Sequence, residues 1–487
     1  MTDGPGAAPD RSPSALDPAL LELTLAEALA TGGDFADVFA EERRTTAFGM
    51  EDDRLDRLQL AQERGVGVRV TVGSITGYAF ADGWGEESFR SAARAARDVA
   101  RGDGPTGQAV RLVAVETAAG ERPRRPPERA TIEERVALVA RANSAARAAG
   151  SQVRQVTTRF QDLLQRVVIA SSDGILAEDE RRIVQLMVAV TAERGGVRQI
   201  GRRARGGQTG LELYETSTPE EVASEAAASA ISMLDAIPAP AGPMPVIVSN
   251  GWGGVLFHEA VGHGLEGDHV ERNSSVYVGK LGERVAAPIV TLLDDATIPL
   301  HRGSFRVDDE GVAAQRTALV VGGILEGYLT DRKSARALGL ATSGNGRRQS
   351  FQKLPLPRMT NLVVEPGTSS PADILADTPS GLYVVSLGGG QVDTTSGQFV
   401  FSVTEGYLIE GGRLGPPVRG ATLAGDSFSV LARVDAIGDD FALDPGLGTC
   451  GKQGQWVAVG VGQPTLRVSE LIVGGTASGN GAASGGG

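Results

Sequence analysis

Two hydrophobic periods alternate along this chain, and the places where one gives way to the other outline its elements. Asp17-Pro18 opens a helical pattern, with aspartate as N-cap and proline at the first helical position, that runs through LLELTLAEALA to Gly32-Gly33. RGVGVRVTVGS and TGYAFADG then alternate with the two-residue period of strands. A second helix is predicted from Glu86 to Arg101, with Phe89, Ala93, Ala96 and Val99 on one stripe. After a stretch of Gly, Pro and Arg, Thr131 and Glu134 form a capping box for a helix ending at Gly150. LLQRVVIASSDGILAEDE and RRIVQLMVAVTAE read as strands joined at an Asp173-Gly174 turn. Thr218-Pro219-Glu220-Glu221 caps one more helix, to about Leu234.

From Pro245 onward the apolar segments are short and separated by glycine-rich turns. VIVSN predicts a strand leading into a helix over WGGVLFHEAVGH. Mainly antiparallel strands are expected after His269, at APIVTLLDD, TALVVGGILEGYL, GLYVVSLGG, FVFSVTEGYLIEGGRL and QWVAVGV. The pattern predicts an α+β protein: small N-terminal and central α/β units, then a larger, mostly antiparallel β C-terminal domain that carries the histidine-bearing helix. The expected divisions are a disordered tail over 1–16, an α+β domain over 17–102 and a linker over 103–128. A central α+β domain over 129–236, a β-rich domain over 244–475 and a flexible tail over 476–487 follow.

Composition narrows the partners. A formal net charge of -13 argues against nucleic acid, whose phosphates require a basic surface. The basic stretches at Arg122 to Arg129 and Arg198 to Arg205 read as solvated faces or loops. No apolar run approaches the roughly 18 residues of a membrane span. The polar N-terminus shows no signal-peptide pattern, and the single cysteine excludes an internal disulfide framework. A cytoplasmic location is expected, with no membrane partner.

Only four histidines occur, and three fall within HEAVGHGLEGDH: His258, His263 and His269. A His-Glu pair on a helix suits a metal-dependent hydrolase: the imidazole supplies a lone pair and Glu259 takes a proton from water. The spacing is HExxxH rather than the familiar HExxH. Five residues turn a helix by about 500°, which leaves the two imidazoles about 140° apart. The helix must therefore end or kink before His263, and Gly262 and Gly264 make that easy. Two histidines leave a zinc site one protein ligand short. Glu266, Asp268, His269 and the distant Cys450 are the candidates. Cys450 sits in DPGLGTCGKQGQ, read as a loop. His301, alone in PLHRGSF, reads as a surface or structural residue. Gly388-Gly389-Gly390 lacks the strand–helix setting of a dinucleotide fingerprint and marks a place where another backbone comes close.

HEAVGHGLEGD and GTCGKQGQ together resemble the TldD branch of the TldD/PmbA family of metallopeptidases. So do RVDDEG from Arg306, SGNGRR from Ser343, LPRMTN from Leu356, GGGQVDTTSGQFVFSVTEGYLI from Gly388 and VGQPTLRV from Val461. The resemblance covers nearly the whole chain after Pro245 and is less sharp before it. It implies one Zn2+ held by His258, His263 and Cys450, with Glu259 as catalytic base. It also implies a homologous partner subunit of the TldE/PmbA type that lacks the metal site, as a heterodimer or else a homodimer. The substrates it implies are unfolded or small peptides, for degradation or leader-peptide maturation. An extended peptide is expected to lie along Gly388, Gly389, Gly390, Gln391 and Asp393. The alternative is a non-catalytic, zinc-containing subunit that binds peptides or regulates a partner.

Overall fold

The structure is a computed structural model that describes residues 16–56, 58–100, 110–117 and 121–476. The tails expected at 1–16 and 476–487 lie outside the described residues except for 16 and 476, as do 103–109 and 118–120 of the expected linker.

The strands of the first two units form a single sheet whose long strands run antiparallel. Its long strands are β1 (Phe35–Glu51), β2 (Gln59–Val72), β3 (Ile75–Asp82), β4 (Val153–Ser171), β5 (Ile175–Arg194) and β6 (Val197–Gly207), in the order β3-β2-β1-β4-β5-β6. The join is β1, a strand the hydrophobic pattern does not announce, which pairs with β4 from Asp37↔Ser171 to Glu51↔Thr157. Even-numbered residues of β1, β2, β4 and β5 face one way, with odd-numbered residues of β3 and β6 beside them. Val38, Phe48, Phe160, Val168, Leu186 and Val188 are buried there beneath four helices. These are α1 (Pro18–Ala28), α2 (Glu86–Val99), α3 (Ile132–Ala148) and α4 (Pro219–Ser232). The caps fall where the sequence puts them: Asp17 accepts from the Ala19 amide, and Thr131 and Thr218 close capping boxes with Glu134 and Glu221. α2 stops at Val99, which is 64% exposed rather than on the buried stripe. Ala100, one residue further round, fills that place.

Odd-numbered positions of β1, β2, β4 and β5 face the C-terminal domain. Phe39, Val167 and Ile169 pack there against Val307 and Phe351. Around them the contact is ionic: Arg181 Nη1 to Asp309 at 2.8 Å, Arg306 Nε to Asp179 at 2.9 Å and Arg69 Nη2 to Glu310 at 2.7 Å. The Phe351 amide donates to Glu41 at 2.8 Å. Burial and the neighbouring Glu310 carboxylate push Asp308, in the same RVDDEG loop, up to about 8. In the stretch from Arg198 to Arg205, Arg203 lies on Glu405 and Arg205 on Glu225, while Arg198 and Arg202 are exposed.

The C-terminal domain has two larger sheets. In one, strands Gly242–Val248, Ser380–Val392, Gln398–Glu410, Thr422–Asp426 and Leu466–Gly474 pair around a closed ring, antiparallel except where the first meets the second. The other is built on Leu292–Asp295, Arg316–Val321, Asn361–Val364 and Gly460–Gln463. Between the sheets runs the histidine-bearing segment. Its Leu256, Phe257, Val261 and Leu265 are buried among Val246, Val384 and Phe401 of the ring and Leu292, Leu319 and Leu362 of the other sheet. Burying that many apolar side chains fixes the segment from both sides. The α+β class and the antiparallel C-terminal domain are as the pattern predicts. No described helix is long and apolar enough to cross a membrane.

Candidate metal centre

The HExxxH spacing is resolved by a broken helix. α5 (Val255–Ala260) carries His258 and Glu259 and stops at Val261, whose φ of -124° is not helical. A separate 3₁₀ turn, Gly262–Leu265, then carries His263. The Ala260 carbonyl at the break accepts from the Ser427 hydroxyl. Both glycines are required by close approach. A Cβ on Gly262 would lie 2.0 Å from Met359 Sδ, and one on Gly264 would lie 2.9 Å from the Tyr277 ring.

Cys450, expected on a loop, lies instead on a two-stranded hairpin of Thr449–Lys452 with Gln455–Ala458. Its two-residue turn is Gln453-Gly454, both at positive φ, as a type I′ turn demands. The hairpin inserts the thiol beside the histidines. Donor atoms of His258, His263 and Cys450 all lie within 4.8 Å of one another, and all three residues are buried. Cys450 Sγ is 3.4 Å from His263 Nε2, and the two imidazoles meet edge to face with centroids 5.2 Å apart. Two ligands of a tetrahedral zinc, at about 2.0–2.3 Å from the ion, stand roughly 3.5 Å apart. The set therefore fits a zinc-sized cation, and a buried His258 Nδ1 without a hydrogen-bond partner adds to the fit.

The protonation states agree. Burial pushes the Cys450 thiol up, but His263 and His258 outweigh it and hold its pKa well below the usual thiol range. Burial works against a charged His263, yet the Glu266 carboxylate and the Cys450 sulfur hold its pKa well above the ordinary value. A thiolate facing a proton on Nε2 is an arrangement a cation can take over by displacing that proton. Glu259 stands beside the cluster, its Oε2 3.7 Å from His263 Nε2 and its side chain 22% exposed.

The other candidates fall into place around this set. Glu266, Asp268 and His269 also bring three donor atoms within 4.8 Å of one another. There, however, the Lys452 ammonium already donates to Glu266 Oε2 at 3.0 Å, Asp268 Oδ1 at 2.5 Å and the Pro357 carbonyl at 3.1 Å. Glu266 in turn accepts from His263 Nδ1 at 2.9 Å. Burial would raise the Glu266 pKa, but Lys452, His263 and Arg358 drive it far down, so it is a carboxylate that keeps the proton on Nδ1 and turns Nε2 toward Cys450. In the sequence alone Glu266 stands out only as a candidate ligand, and nothing local singles out Lys452. Lys452 lies two residues beyond Cys450 and so points to the same side of the strand, a relation that reading GTCGKQGQ as a loop conceals. His301 is buried and structural, its Nε2 3.0 Å from Asp444.

Gly388, Gly389, Gly390 and Gln391 lie on the strand Ser380–Val392, against which α5 packs. Trp252 Nε1 donates to the Leu387 carbonyl at 2.9 Å. Gly390 is paired to Phe401, whereas a Cβ on Gly389 would meet nothing within 4 Å. The Asp393 carboxylate is taken up by its own turn, accepting from the Thr395 amide and the Ser396 hydroxyl.

Three family models match the chain: PmbA/TldA metallopeptidase domain 1 over residues 36–100, the central domain over 125–234 and the C-terminal domain over 241–475. A metalloprotease TldD homolog of Haemophilus influenzae is 41% identical over 449 residues, covering 91% of this chain and 93% of its own. A metalloprotease of Methanothermobacter thermautotrophicus is 34% identical over 449 residues, covering 91% and 96%. Among solved structures, TldE from Thermococcus kodakarensis superposes with a TM-score of 0.76 at 18% identity, over 94% of this chain and 99% of that one. A Thermotoga maritima protein gives 0.76 at 23% identity, over 90% and 96%.

Proposed function

The chain belongs to the PmbA/TldA family of metallopeptidases, and we propose that it is a zinc-dependent peptidase in which His258, His263 and Cys450 hold the metal and Glu259 is the general base. The observation that carries this reading is the convergence of two imidazoles and one thiol, buried, with a partly exposed carboxylate beside them. Two nitrogens and one sulfur favour zinc over harder cations.

When bound, zinc supplies Lewis acidity, which polarises a peptide carbonyl and brings the pKa of water toward neutrality. Glu259 accepts the proton of the attacking water at a carboxylate oxygen and returns it to the leaving amine. Its place as the fifth residue of a six-residue helix, next to His258, gives it a fixed backbone from which to do so. Glu266, held by Lys452 and Arg358, keeps His263 in one tautomer and one orientation. The substrate lies extended along Gly388, Gly389, Gly390, Gln391 and Asp393, adding a strand to the free edge of that segment. Gly389 leaves room for a second backbone there. Backbone pairing reads little side-chain identity, which suits unfolded or small peptides as substrates, in degradation or in leader-peptide maturation.

The likeness in fold to TldE supports pairing with a homologous subunit that lacks the metal residues. The single cysteine, poised as a thiolate, suits a reducing cytoplasm. The deciding experiment measures metal content by mass spectrometry in the wild type and in Cys450→Ala, alongside turnover of unfolded peptides. About one zinc per chain, lost with peptide hydrolysis in the variant, is expected. Zinc retained without Cys450 overturns the ligand set. Zinc bound by wild type with no peptide turnover, even with a partner subunit present, favours the non-catalytic alternative.

A further inference from the structure

The hairpin that presents Cys450 has a second face. Cys450 and Lys452 point to the histidines, so Thr449 points the other way, into a chamber of about 310 Å³ between the hairpin and the β4–β5 part of the first sheet. Five arginines line it, Arg43, Arg181, Arg302, Arg347 and Arg348, against the single carboxylate of Asp309. Two of the five are accounted for: Arg181 is paired with Asp179 and Asp309, and Arg348 donates to the Asp309 carbonyl at 2.9 Å and lies 3.9 Å from Asp37.

The other three are not. Arg43 donates to the Gln349 carbonyl at 3.3 Å and has its carboxylate neighbour, Glu63, at 4.0 Å. Arg302 donates to the Gly448 carbonyl and to Thr449 Oγ1. Arg347, 6% exposed, donates to the carbonyls of Met359 and Ala458, and its Nε has no partner. Among the described residues neither Arg302 nor Arg347 is in an ion pair. Arg347 also lies over the Phe305 ring, 5.3 Å from its centroid, but burying a guanidinium beside dipoles and a ring face is costly unless an anion compensates it. Burial, reinforced by Arg181 and Arg358 and only partly offset by Asp309 and Asp294, brings Arg347 down to about 10.

We propose that this chamber is an oxyanion-binding site, taking a phosphate or a peptide carboxylate with Arg302 and Arg347 as its principal partners. The volume is at the lower end of ligand pockets, roughly 300–1,000 Å³, and suits a small anion rather than an extended chain. Arginine forks match the paired oxygens of both groups. The site stands apart from the peptidase reading and requires no metal.

Trp456, 61% exposed, lies at the chamber and reports its occupancy by fluorescence. The purified chain is titrated at constant ionic strength with inorganic phosphate, and separately with N-acetyl-dialanine as free acid and as amide. A saturable response to phosphate, to the free acid or to both is expected, with none to the amide. Arg302→Gln and Arg347→Gln each weaken it about tenfold or more, the loss of one charge-assisted partner. Response to phosphate alone assigns a phosphate source, and response to the free acid alone assigns a peptide end. If Arg347→Gln does not fold, the Arg302→Gln/Arg43→Gln double variant carries the comparison. No saturable response to either anion, or one that these variants leave unchanged, overturns the proposal.

Discussion

Lys452→Met removes one ammonium while keeping most of the side chain's length. In the wild type that ammonium joins the buried carboxylates of Glu266 and Asp268 and the Pro357 carbonyl. Without it the two acids face each other, and Glu266 retains only His263 and, at 4.0 Å, Arg358. Removing one partner from a buried ion pair costs about 3–5 kcal/mol, because the other charge is left uncompensated. The effect reaches the proposed metal ligands through one atom: the Glu266 oxygen that Lys452 holds is the oxygen that receives His263 Nδ1. Losing such an outer partner lowers metal affinity about 10–100-fold, or about 1.4–2.8 kcal/mol. The assay is zinc affinity by chelator competition together with urea unfolding. Asp268→Asn separates the two effects: it removes a partner of Lys452 without touching Glu266, so stability falls while zinc affinity changes little. Stoichiometry adds a further readout, since the variant can relieve its two acids by taking a second cation between Glu266, Asp268 and His269. A Lys452→Met chain that binds one zinc within twofold of the wild-type affinity and unfolds at the wild-type urea concentration refutes this reasoning.

Three other substitutions probe separate parts of the reading. Glu259→Gln keeps its zinc and loses peptide turnover about 10²–10⁴-fold, measured on unfolded peptides with the partner subunit present; unchanged turnover removes Glu259 as base. Gly389→Val meets open space, so thermal unfolding stays within error while KM for peptides rises, and unchanged kinetics refute strand addition at that edge. Asp444 concerns acid stability: burial would raise its pKa, but His301 and the amides of Val461 and Leu447 hold it below the usual value. A depressed folded pKa contributes stability above the unfolded value of about 3.9, and that contribution fades as pH falls through the folded one. Asp444→Asn is therefore destabilised by about 2–3 kcal/mol at pH 7, with the gap closing below about pH 4; a gap independent of pH in urea unfolding contradicts the assignment.

The elements legible in the sequence are those whose signals are local. Thr131 with Glu134 and Thr218 with Glu221 name their own helix starts, because both halves of a capping box lie within four residues. The broken helix at His263 was legible because the spacing leaves an unbroken one no way to bring both imidazoles together. β1 was not, and the reason is its outward partner. Its odd-numbered face meets charged loops of the C-terminal domain through Glu41 and Arg43, while Glu42 and Arg44 on the even-numbered face interrupt the alternation that Val38, Ala40, Phe48 and Met50 would otherwise display. Glu42 is buried against Arg44 and Arg64, a compensation between β1 and β2 that no window on β1 alone contains. The Cys450 hairpin failed for a different reason. TCGKQGQ has few β-branched or aromatic residues, and its pairing depends on a tight turn at Gln453-Gly454 and on Gln349, which bonds Trp456 from 107 residues away.

That dependence bears on how the site is assembled. Cys450 is positioned from both sides of one short strand. On one side Lys452 ties it to Glu266 and Asp268, behind His263, and Arg358 donates to the Cys450 carbonyl at 2.7 Å. On the other, Arg347 holds the Ala458 carbonyl and Gln349 holds the Trp456 amide. Arg348, between these two in sequence, is bonded to Asp309, which Arg181 of β5 anchors to the first sheet. A short chain of polar contacts thus runs from the first sheet through the Arg347–Gln349 segment to the strand that carries the thiol. Such contacts are strong only when complete, since each unpaired member is left with the cost of its own desolvation. Docking of the first sheet on the C-terminal domain therefore completes the set of contacts behind the hairpin, through Arg181, Asp309 and Arg348.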